Sequence, residues 1–397
     1  MKPHYFLLDE VDNSPHGGLH VKSSNSDYPM PIDHFLCHFE EFSYTNFFNT
    51  RKHFMLDDRA YKFVLNFIHM PAHYSFPISD KTRDMLQTDP RAFLVLMSVL
   101  EYQIDPENLS RFCAGRKIPL NKVIVLCSNV EAHGQMINGI KYVCINYWES
   151  VSRWHHQLLP SAHVADKNLL ERRIWDASKK FICLNRNVKP HRIWFMYAMI
   201  KADIVDQGHV SYHLPKINQN DYDTACNGHW VLKRIPADLH RDFLKTNRLK
   251  MFARMLDRLD EKLIIQYHNG PTKYYEDSVL SFVTESESSR NFITEKTYKA
   301  IANLHPFFII GNPDQHALLR ARGYETFEGL FGVNQITNYD EAMKMLNEIR
   351  KMDIALLKQN IIQKYLDKLI HNYDKFFSRR INWQTIVQEI FDATERR

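Results

Sequence analysis

Short apolar runs alternate along the chain with stretches in which apolar residues recur at helical spacing. This alternation is typical of parallel sheets whose strands are joined by crossover helices. The runs that predict strands in the first half are YFLL (5–8), FVLNFI (63–68), FLVLMSV (93–99), KVIVLC (122–127) and YVCINY (142–147). Those in the second half are KFICLN (180–185), VLSFVT (279–284), FFIIG (307–311) and YETF (324–327). The pattern therefore predicts an α/β protein.

The length of the chain favours two domains, because 397 residues are many for a single core. The segment 150–178 is polar and aromatic without a strand pattern, and we place the domain boundary there. We predict an N-terminal domain over 1–155, a C-terminal domain over 156–345, and C-terminal helices over 346–397 that pack back. Two Rossmann-like domains facing across a cleft would hold a ligand at the carboxyl ends of their strands.

One predicted helix begins with a charge that opposes its dipole. In NFITEKTYKAIANLHPFFIIGNPD (291–314), TEKTYKAIANL reads as a helix with Thr294 as N-cap, placed between two strands. A carboxylate such as Glu295 suits the positive end of a helix dipole, whereas the ammonium of Lys296 does not. A lysine beside free backbone N–H groups makes a strong anion pocket, so we interpret Lys296 as a ligand-binding residue.

A second helix start has the same character. KFICLN is a strand, RNVK a loop and PHRIWFMYAMIKAD a helix, with Pro190 suited to its first turn. Lys189, His191 and Arg192 cluster at that N-terminus. Two cationic helix starts that follow strands of one sheet predict a site for two adjacent phosphates. The alternative is that each cation is an ordinary solvated surface charge.

Composition and charge restrict the class of protein. With 44% hydrophobic and 24% charged residues, the chain should fold compactly. The longest apolar runs, 92–100 and 305–311, are far shorter than the roughly 18 residues of a membrane span, so no transmembrane helix is expected. The N-terminus lacks a signal-peptide pattern, which predicts a cytoplasmic protein. A net charge of +5 slightly favours an anionic ligand.

Metal-binding patterns are weak. The 6 cysteines lack C-x-x-C spacing, which argues against a zinc site or a disulfide framework. Asp221 and Asp223 form a D-x-D, a pattern that binds metal-nucleotide elsewhere, but they lie in the polar run NQNDYDTACNG, which favours a loop. His155 and His156 have no third ligand at suitable spacing. We expect neither a metal nor a cofactor.

The run SFVTESESSRNFITEKTYKAIANLHPFFIIGNPD resembles the donor-domain signature of fucosyltransferases that use GDP-fucose. In that signature a strand ends in Glu, and Val/Ile-Thr-Glu-Lys then opens a helix. The run FICLNRNVKPHRIWFMYAMIKADIVDQGHVSYH is similar to the upstream segment of the same family. Together the two pieces cover about a fifth of the chain. A still closer likeness is to glycosyltransferase-like proteins of phages and bacteria that carry Thr-Glu-Lys-Thr-Tyr-Lys.

The resemblance implies a GT-B glycosyltransferase that holds a nucleotide-sugar in its C-terminal domain. It implies that Lys296 and Arg192 bind the diphosphate, and that Glu295 and Glu285 bind hydroxyls of the sugar or ribose. Asn185 takes the place of the family's strand-end asparagine. The family's Val-Pro-Ile-Tyr-Trp-Gly strand is replaced here by HPFFIIGNPD, so the donor stays open between GDP-fucose, another GDP-sugar and a UDP-sugar.

The chemistry of sugar transfer fits these residue types. Fixed cations and helix N-termini can stabilise the departing diphosphate without metal. If the reaction inverts the anomeric centre, a base in the N-terminal domain must take the proton of the acceptor hydroxyl. Glu101, which ends FLVLMSVLE, is the first candidate, followed by Glu131 and His133.

The acceptor is open. A glycan is one possibility, and hydroxymethylated bases in DNA are another if the gene is viral, in which case the protein would act in the host cytoplasm. A different class of function is a nucleotide-sugar-binding or nucleic-acid-binding module without turnover. Strong salt dependence of binding to duplex DNA would favour the DNA acceptor.

Overall fold

The computed structural model describes the chain in segments. These are residues 4–8, 20–22, 29–31, 61–67, 78–98, 105–128, 130–144, 146, 148–149, 152–153, 166–185, 189–212, 272–286, 288, 291–336 and 339–378. In the strands up to residue 67 only the backbone is described. The chain divides into two compact units, Met1–Ser150 with Ile381–Arg397, and Val151–Arg380.

The first unit is built on a mainly parallel sheet. Its described strands are β1 (His4–Leu8), β2 (His20–Lys22), β3 (Pro29–Pro31), β4 (Tyr61–Phe67), β5 (Ala92–Ser98), β6 (Val123–Cys127), β7 (Met136–Ile137) and β8 (Ile140–Cys144). Six of them form a sheet in the order β1-β4-β5-β6-β8-β7, in which only the β7–β8 pair is antiparallel. A separate antiparallel pair consists of β2 and β3.

Helices α1 (Asp80–Thr88) and α2 (Pro106–Gly115) precede β5 and β6. Each begins with a side-chain cap, because Ser79 accepts from the backbone N–H of Thr82, and Asp105 accepts from that of Glu107. Every residue of β6 is buried. A continuous apolar run of this kind is typical of a central strand in a parallel sheet.

The second unit contains a smaller sheet that is wholly parallel. Its strands are β9 (Lys179–Asn185), β10 (Gly208–Tyr212), β11 (Ser278–Thr284) and β12 (Phe307–Ile310). Its described helices are α3 (Lys167–Asp176), α4 (Pro190–Lys201), α5 (Thr272–Glu276), α6 (Glu295–Ala302), α7 (Gln315–Ala321), α8 (Glu328–Phe331), α9 (Tyr339–Lys351) and α10 (Ile354–Ser378).

The order of the second sheet, β10-β9-β11-β12, creates a topological switch point. The connection through α4 leads from β9 outward to β10, and the connection through α6 leads from β11 outward to β12. The chain therefore leaves β9 and β11 in opposite directions. In open α/β sheets, ligands bind beyond the carboxyl ends of the strands at such a point.

Both faces of the second sheet are covered. Phe307 and Phe308 are consecutive in β12, so their side chains point to opposite faces. The ring of Phe308 lies 5.2 Å from that of Phe331 in α8. The ring of Phe307 lies 5.3 Å from that of Phe327, which lies 6.0 Å from Tyr365 of α10. A parallel sheet covered on both faces is doubly wound and Rossmann-like, which confirms the predicted α/β class.

Eight of the nine predicted strands are confirmed, as β1, β4, β5, β6, β8, β9, β11 and β12, with ends that differ by at most three residues. The predicted strand YETF (324–327) is wrong. The side-chain amide of Asn372 in α10 accepts from the Glu325 N–H at 2.7 Å and donates to the Glu325 carbonyl at 2.8 Å. These two bonds satisfy the peptide groups that a neighbouring strand would otherwise pair.

Strand β10 was not predicted from the sequence. Its residues, GHVSY, are mostly small or polar and form no continuous apolar run. Among the described strands β10 lies at the edge of the sheet and pairs with β9 alone, so it needs no continuous apolar run. The helical pattern after residue 340 is confirmed in α9 and α10, which belong to the second unit.

Several cations of the second unit cap the carboxyl ends of helices. Arg173 donates to the carbonyls of Asn303 and Leu304 at 2.6 and 2.9 Å, just beyond α6. Lys180 donates to the carbonyl of Ile349 at the end of α9. Such contacts complement the negative end of the helix dipole. Part of the basic charge therefore stabilises the fold, and the net charge is a poor guide to a ligand.

Within the part of the chain that the structure describes, no helix is both long enough and apolar enough to cross a bilayer.

Candidate functional site

The side chain of Lys296 lies at the carboxyl end of the second sheet, in the first turn of α6. Its Nζ donates to Ser286 Oγ at 2.7 Å, to Thr294 Oγ1 at 3.2 Å and to Glu295 Oε1 at 2.8 Å. An ammonium has three N–H donors, so these contacts use all of them. Thr294 is the N-cap, as predicted, because its hydroxyl accepts from the Lys296 backbone N–H at 3.5 Å.

The pair of Glu295 and Lys296 is largely buried. The side chain of Glu295 is 1% exposed and that of Lys296 is 20% exposed. A buried carboxylate is costly without a compensating charge, and the ammonium supplies that charge. Burial and the Glu295 carboxylate together raise the pKa of Tyr275, which keeps its phenol neutral. Lys296 is therefore tolerated at a helix start because it neutralises its neighbour.

The carboxylate of Glu285 organises the entry into α6. Its Oε1 accepts from the Thr294 N–H at 3.1 Å and from Thr297 Oγ1 at 2.6 Å. Its Oε2 accepts from the Ser286 N–H at 3.1 Å and from Thr294 Oγ1 at 2.6 Å. The residue is completely buried. Contact between Glu285 and a sugar or ribose hydroxyl stays a prediction, and it would require one of these bonds to be exchanged.

The start of α4 is held against the end of β11. Nη2 of Arg192 donates to the carbonyls of Thr284 and Glu285 at 3.3 and 3.1 Å. Nε2 of His191 lies 2.6 Å from the same Glu285 carbonyl and donates to it. Both side chains are 2% exposed, whereas Lys189, at the N-cap position of α4, is partly exposed. The two cationic helix starts therefore meet at Glu285, and phosphate binding by Arg192 stays a prediction.

Asn185 links the ends of three neighbouring strands. Its Oδ1 accepts from the hydroxyl of Thr284 in β11, and its backbone N–H donates to Ser211 Oγ of β10 at 3.2 Å. Its side chain is 2% exposed. Its Nδ2 lies 3.4 Å from the sulfur of Cys183, whose pKa is raised by burial to about 12. The position at the strand end agrees with the sequence, and a role of Asn185 in donor binding stays a prediction.

The three candidates for a general base belong to the first unit. Glu101 lies outside the described residues. Glu131, in the turn after β6, and His133 are exposed. Nδ1 of His133 accepts from the Cys144 backbone N–H at 3.1 Å, so a neutral ring carries its proton on Nε2. In this tautomer the outer nitrogen is a donor, which disfavours His133 as a base.

Among the described residues, no group of three or more His, Cys, Asp or Glu side chains has the geometry of a metal site. The two sequence patterns that we considered for metal binding lie outside the described part of the chain. They are the pair Asp221 and Asp223 and the pair His155 and His156.

Sequence reasoning missed the hydroxyl side chains that surround Lys296. Ser286 binds the ammonium, and Thr297 binds the Glu285 carboxylate from inside the helix. A signal was present, because Thr294 and Thr297 are spaced three apart and so share one face of α6. That face is directed at Glu285, the residue that follows β11, and this proximity depends on the pairing of strands rather than on sequence spacing.

We expect Gly311→Ala to destabilise this region. A Cβ at Gly311 would lie 2.3 Å from Gln315 Oε1 and 3.2 Å from Glu285 Cβ. Gln315 is fully buried and its amide donates to the Phe292 carbonyl, so it cannot move freely. Overpacking of this kind typically costs about 1–3 kcal/mol. Urea denaturation measures the loss, and Gly134→Ala, where a Cβ meets nothing within 4 Å but φ is +74°, separates backbone strain from crowding.

An unchanged unfolding free energy in Gly311→Ala would contradict the tight packing of Glu285 and Gln315.

Comparisons with known proteins give distant structural likenesses. No protein-family model matches the chain, and no curated protein matches it. Among solved structures, α,α-trehalose 6-phosphate synthase of Burkholderia multivorans is 11% identical, with a TM-score of 0.40 over 86% of this chain and 74% of that one. The α,α-trehalose-phosphate synthase (UDP-forming) of Burkholderia vietnamiensis is 12% identical, with a TM-score of 0.39 over 85% of this chain and 73% of that one.

A third likeness is to the N-terminal domain of trehalose-6-phosphate phosphatase from Candida albicans. It is 10% identical, with a TM-score of 0.41 over 85% of this chain and 71% of that chain. At these identities and TM-scores no activity can be transferred between chains. The functional assignment therefore depends on the geometry of the site and on the sequence signature.

Proposed function

We propose that the protein is a glycosyltransferase of the GT-B type, which binds the diphosphate of a nucleotide-sugar at the start of α6. The observation that carries this proposal is the meeting of two cationic helix starts at the switch point of the second sheet. The loop after β9 leads to Lys189 and Arg192, and the loop after β11 leads to Lys296. This is the position at which open α/β sheets bind phosphorylated ligands.

Lys296 is the central donor-binding residue in this proposal. Its side chain is partly exposed, so its ammonium can exchange a hydroxyl partner for a phosphate oxygen. Arg192 lies deeper and contributes positive charge, whereas Glu295 orients the lysine by accepting from its ammonium. As the sugar leaves, negative charge grows on the diphosphate, and fixed cations stabilise it without a metal. The resemblance to GDP-fucose-dependent fucosyltransferases favours a GDP-sugar, with a UDP-sugar as the alternative.

The remaining chemistry is assigned to the first unit. Its candidate base, Glu101, Glu131 or His133, would take a proton from an acceptor hydroxyl in an inverting transfer. A hydroxyl of a glycan or of a hydroxymethylated base in DNA has the required chemistry. In the first case we expect weak dependence of acceptor binding on salt, and in the second strong dependence.

The test is a thermal-denaturation screen with GDP-sugars, UDP-sugars and the free nucleoside diphosphates, run in EDTA and again with Mg²⁺. A ligand at 100 times its dissociation constant should stabilise the protein by about 2.7 kcal/mol, with or without chelator. Binding that disappears in EDTA would instead favour Asp221 and Asp223 as metal ligands. Absence of binding by every nucleotide in both buffers would refute the donor site.

A further inference from the structure

We propose that Glu285 is a positioning residue, which fixes Lys296 and both helix starts in the geometry needed to bind phosphate. The proposal rests on the proposed function and refines it, because the resemblance to fucosyltransferases implies that Glu285 contacts the donor itself. Glu285 is the first residue after β11 and is completely buried. It therefore lies beneath the surface that a donor would reach.

The hydrogen-bond capacity of the carboxylate is filled by the protein. Each oxygen of Glu285 accepts two bonds, from Thr294 and Thr297 on one side and from Ser286 and Thr294 on the other. A carboxylate has about four lone-pair sites, so none is left for a sugar hydroxyl. Direct recognition of a sugar by Glu285 would break a bond inside a buried network, at a substantial cost.

The same contacts lead to Lys296. Ser286 donates its backbone N–H to Glu285 and accepts from Nζ of Lys296 through its hydroxyl. Thr294 donates both its N–H and its hydroxyl to Glu285, and its hydroxyl oxygen accepts from Nζ of Lys296. Two hydroxyl partners of the ammonium, those of Ser286 and Thr294, are thus held by one carboxylate.

The backbone carbonyl of Glu285 holds the start of α4, as its side chain holds the start of α6. Its carbonyl accepts from His191 at 2.6 Å and from Arg192 at 3.1 Å. The side chain of one residue therefore orients the start of α6, and its carbonyl orients the start of α4. The distance between the two cationic groups is set by this residue.

Glu285→Gln tests the role of the side chain. A glutamine must direct its NH₂ group at two donors, either those of Thr294 and Thr297 or those of Ser286 and Thr294. We expect the affinities for the nucleoside diphosphate and for the nucleotide-sugar to fall by the same factor, about tenfold, because both present the phosphates to Lys296. A selective loss of nucleotide-sugar binding would show contact with the sugar and would overturn the proposal.

A double-mutant cycle with Lys296→Met separates positioning from direct contact with the nucleotide. If Glu285 acts through Lys296, Glu285→Gln should have little further effect on affinity in the Lys296→Met background. Additive losses, measured by isothermal titration calorimetry, would instead assign Glu285 an independent contact.

A second readout requires no nucleotide. The rate at which Lys296 is acetylated by an N-hydroxysuccinimide ester, followed by mass spectrometry, should rise several-fold in Glu285→Gln. Lys180, a residue of β9 whose ammonium caps the carboxyl end of α9, is the internal control. Its rate of acetylation should stay unchanged. An unchanged rate at Lys296 would overturn the positioning role. Failure of the wild type to bind nucleotide would reject the proposed function while this measurement still decides the role of Glu285.

Thr297→Val provides a milder variant if Glu285→Gln folds poorly. It removes one bond to Glu285 and nearly keeps the side-chain volume, whereas Thr297→Ser retains the hydroxyl. We expect increased acetylation of Lys296 in Thr297→Val and a return to the wild-type rate in Thr297→Ser. Equal rates in the two variants would contradict a relay through the carboxylate.

Discussion

Lys296→Met should lower affinity for the nucleotide-sugar about tenfold to a hundredfold, because a charge-assisted bond to phosphate contributes roughly 1.5–3 kcal/mol. The same change should also destabilise the ligand-free protein. It removes the ammonium that pairs with the Glu295 carboxylate, whose side chain is 1% exposed. Removing one partner of a fully buried pair costs about 3–5 kcal/mol, and the partial exposure of Lys296 makes the lower end the better expectation.

The double variant Glu295→Gln/Lys296→Met is the matched control. It removes both charges, so it should regain much of the stability lost in Lys296→Met while nucleotide affinity stays low. Urea denaturation measures the first quantity and calorimetric titration the second. A Lys296→Met protein that is destabilised but binds nucleotide-sugar normally would show that the lysine belongs to the scaffold alone.

The contact between Lys296 and Glu295 changes the expected effect of removing this lysine. The dipole argument alone predicts that removal of Lys296 should leave stability unchanged or raise it, since the ammonium opposes the positive helix end. The contact with Glu295 was not predictable from spacing, because neighbouring residues of a helix do not ordinarily face one another. The pairing arises because the lysine side chain turns back toward Ser286 and Thr294. The dipole rule ignores the burial of Glu295. This burial determines the sign of the expected stability change when Lys296 is removed.

The fold was more accessible to sequence reasoning than the site. Strands such as β6, in which every residue is buried, can be predicted from their continuous apolar runs. Strand β10 has polar residues and an edge position among the described strands. Residues 324–327 have a strand-like pattern, but the peptide groups of Glu325 bond to Asn372 instead. In both cases tertiary contacts outweigh local pattern.

The sequence predicted the positions of the site residues in the fold but not their hydrogen-bond partners. Lys296, Arg192 and Asn185 do lie at the carboxyl end of the second sheet, as the order of strands and helices predicted. Their partners could not be predicted, because Arg192 and Glu285 are 93 residues apart along the chain and come together through the pairing of β9 with β11. Sequence periodicity locates faces of elements, whereas hydrogen-bond partners depend on register between strands that are distant along the chain.

The candidate bases of the first unit differ in their requirement from the cations of the second unit. Phosphate binding needs a fixed positive charge, whereas a base needs a free lone pair. His133 satisfies this poorly, because Nδ1 accepts from the Cys144 N–H and leaves Nε2 protonated in the neutral ring. Glu131 is exposed, and burial therefore does not prevent its approach to an acceptor. Glu101, which follows an apolar run of the first sheet in sequence, remains the first candidate on the sequence argument.

Glu101→Gln should lower the rate of sugar transfer by roughly 10²–10⁴-fold if Glu101 is the general base, because an amide cannot accept the acceptor's proton. Donor affinity should be nearly unchanged, since the proposed nucleotide contacts belong to the second unit. Glu131→Gln and His133→Gln, assayed alongside with donor at saturation, are the matched comparisons and should retain most of the turnover. Full turnover in Glu101→Gln would instead move the role to whichever of those two variants is impaired. Because the His133 ring must give up its bond to the Cys144 N–H before Nε2 can accept a proton, Glu131 would then be the stronger candidate.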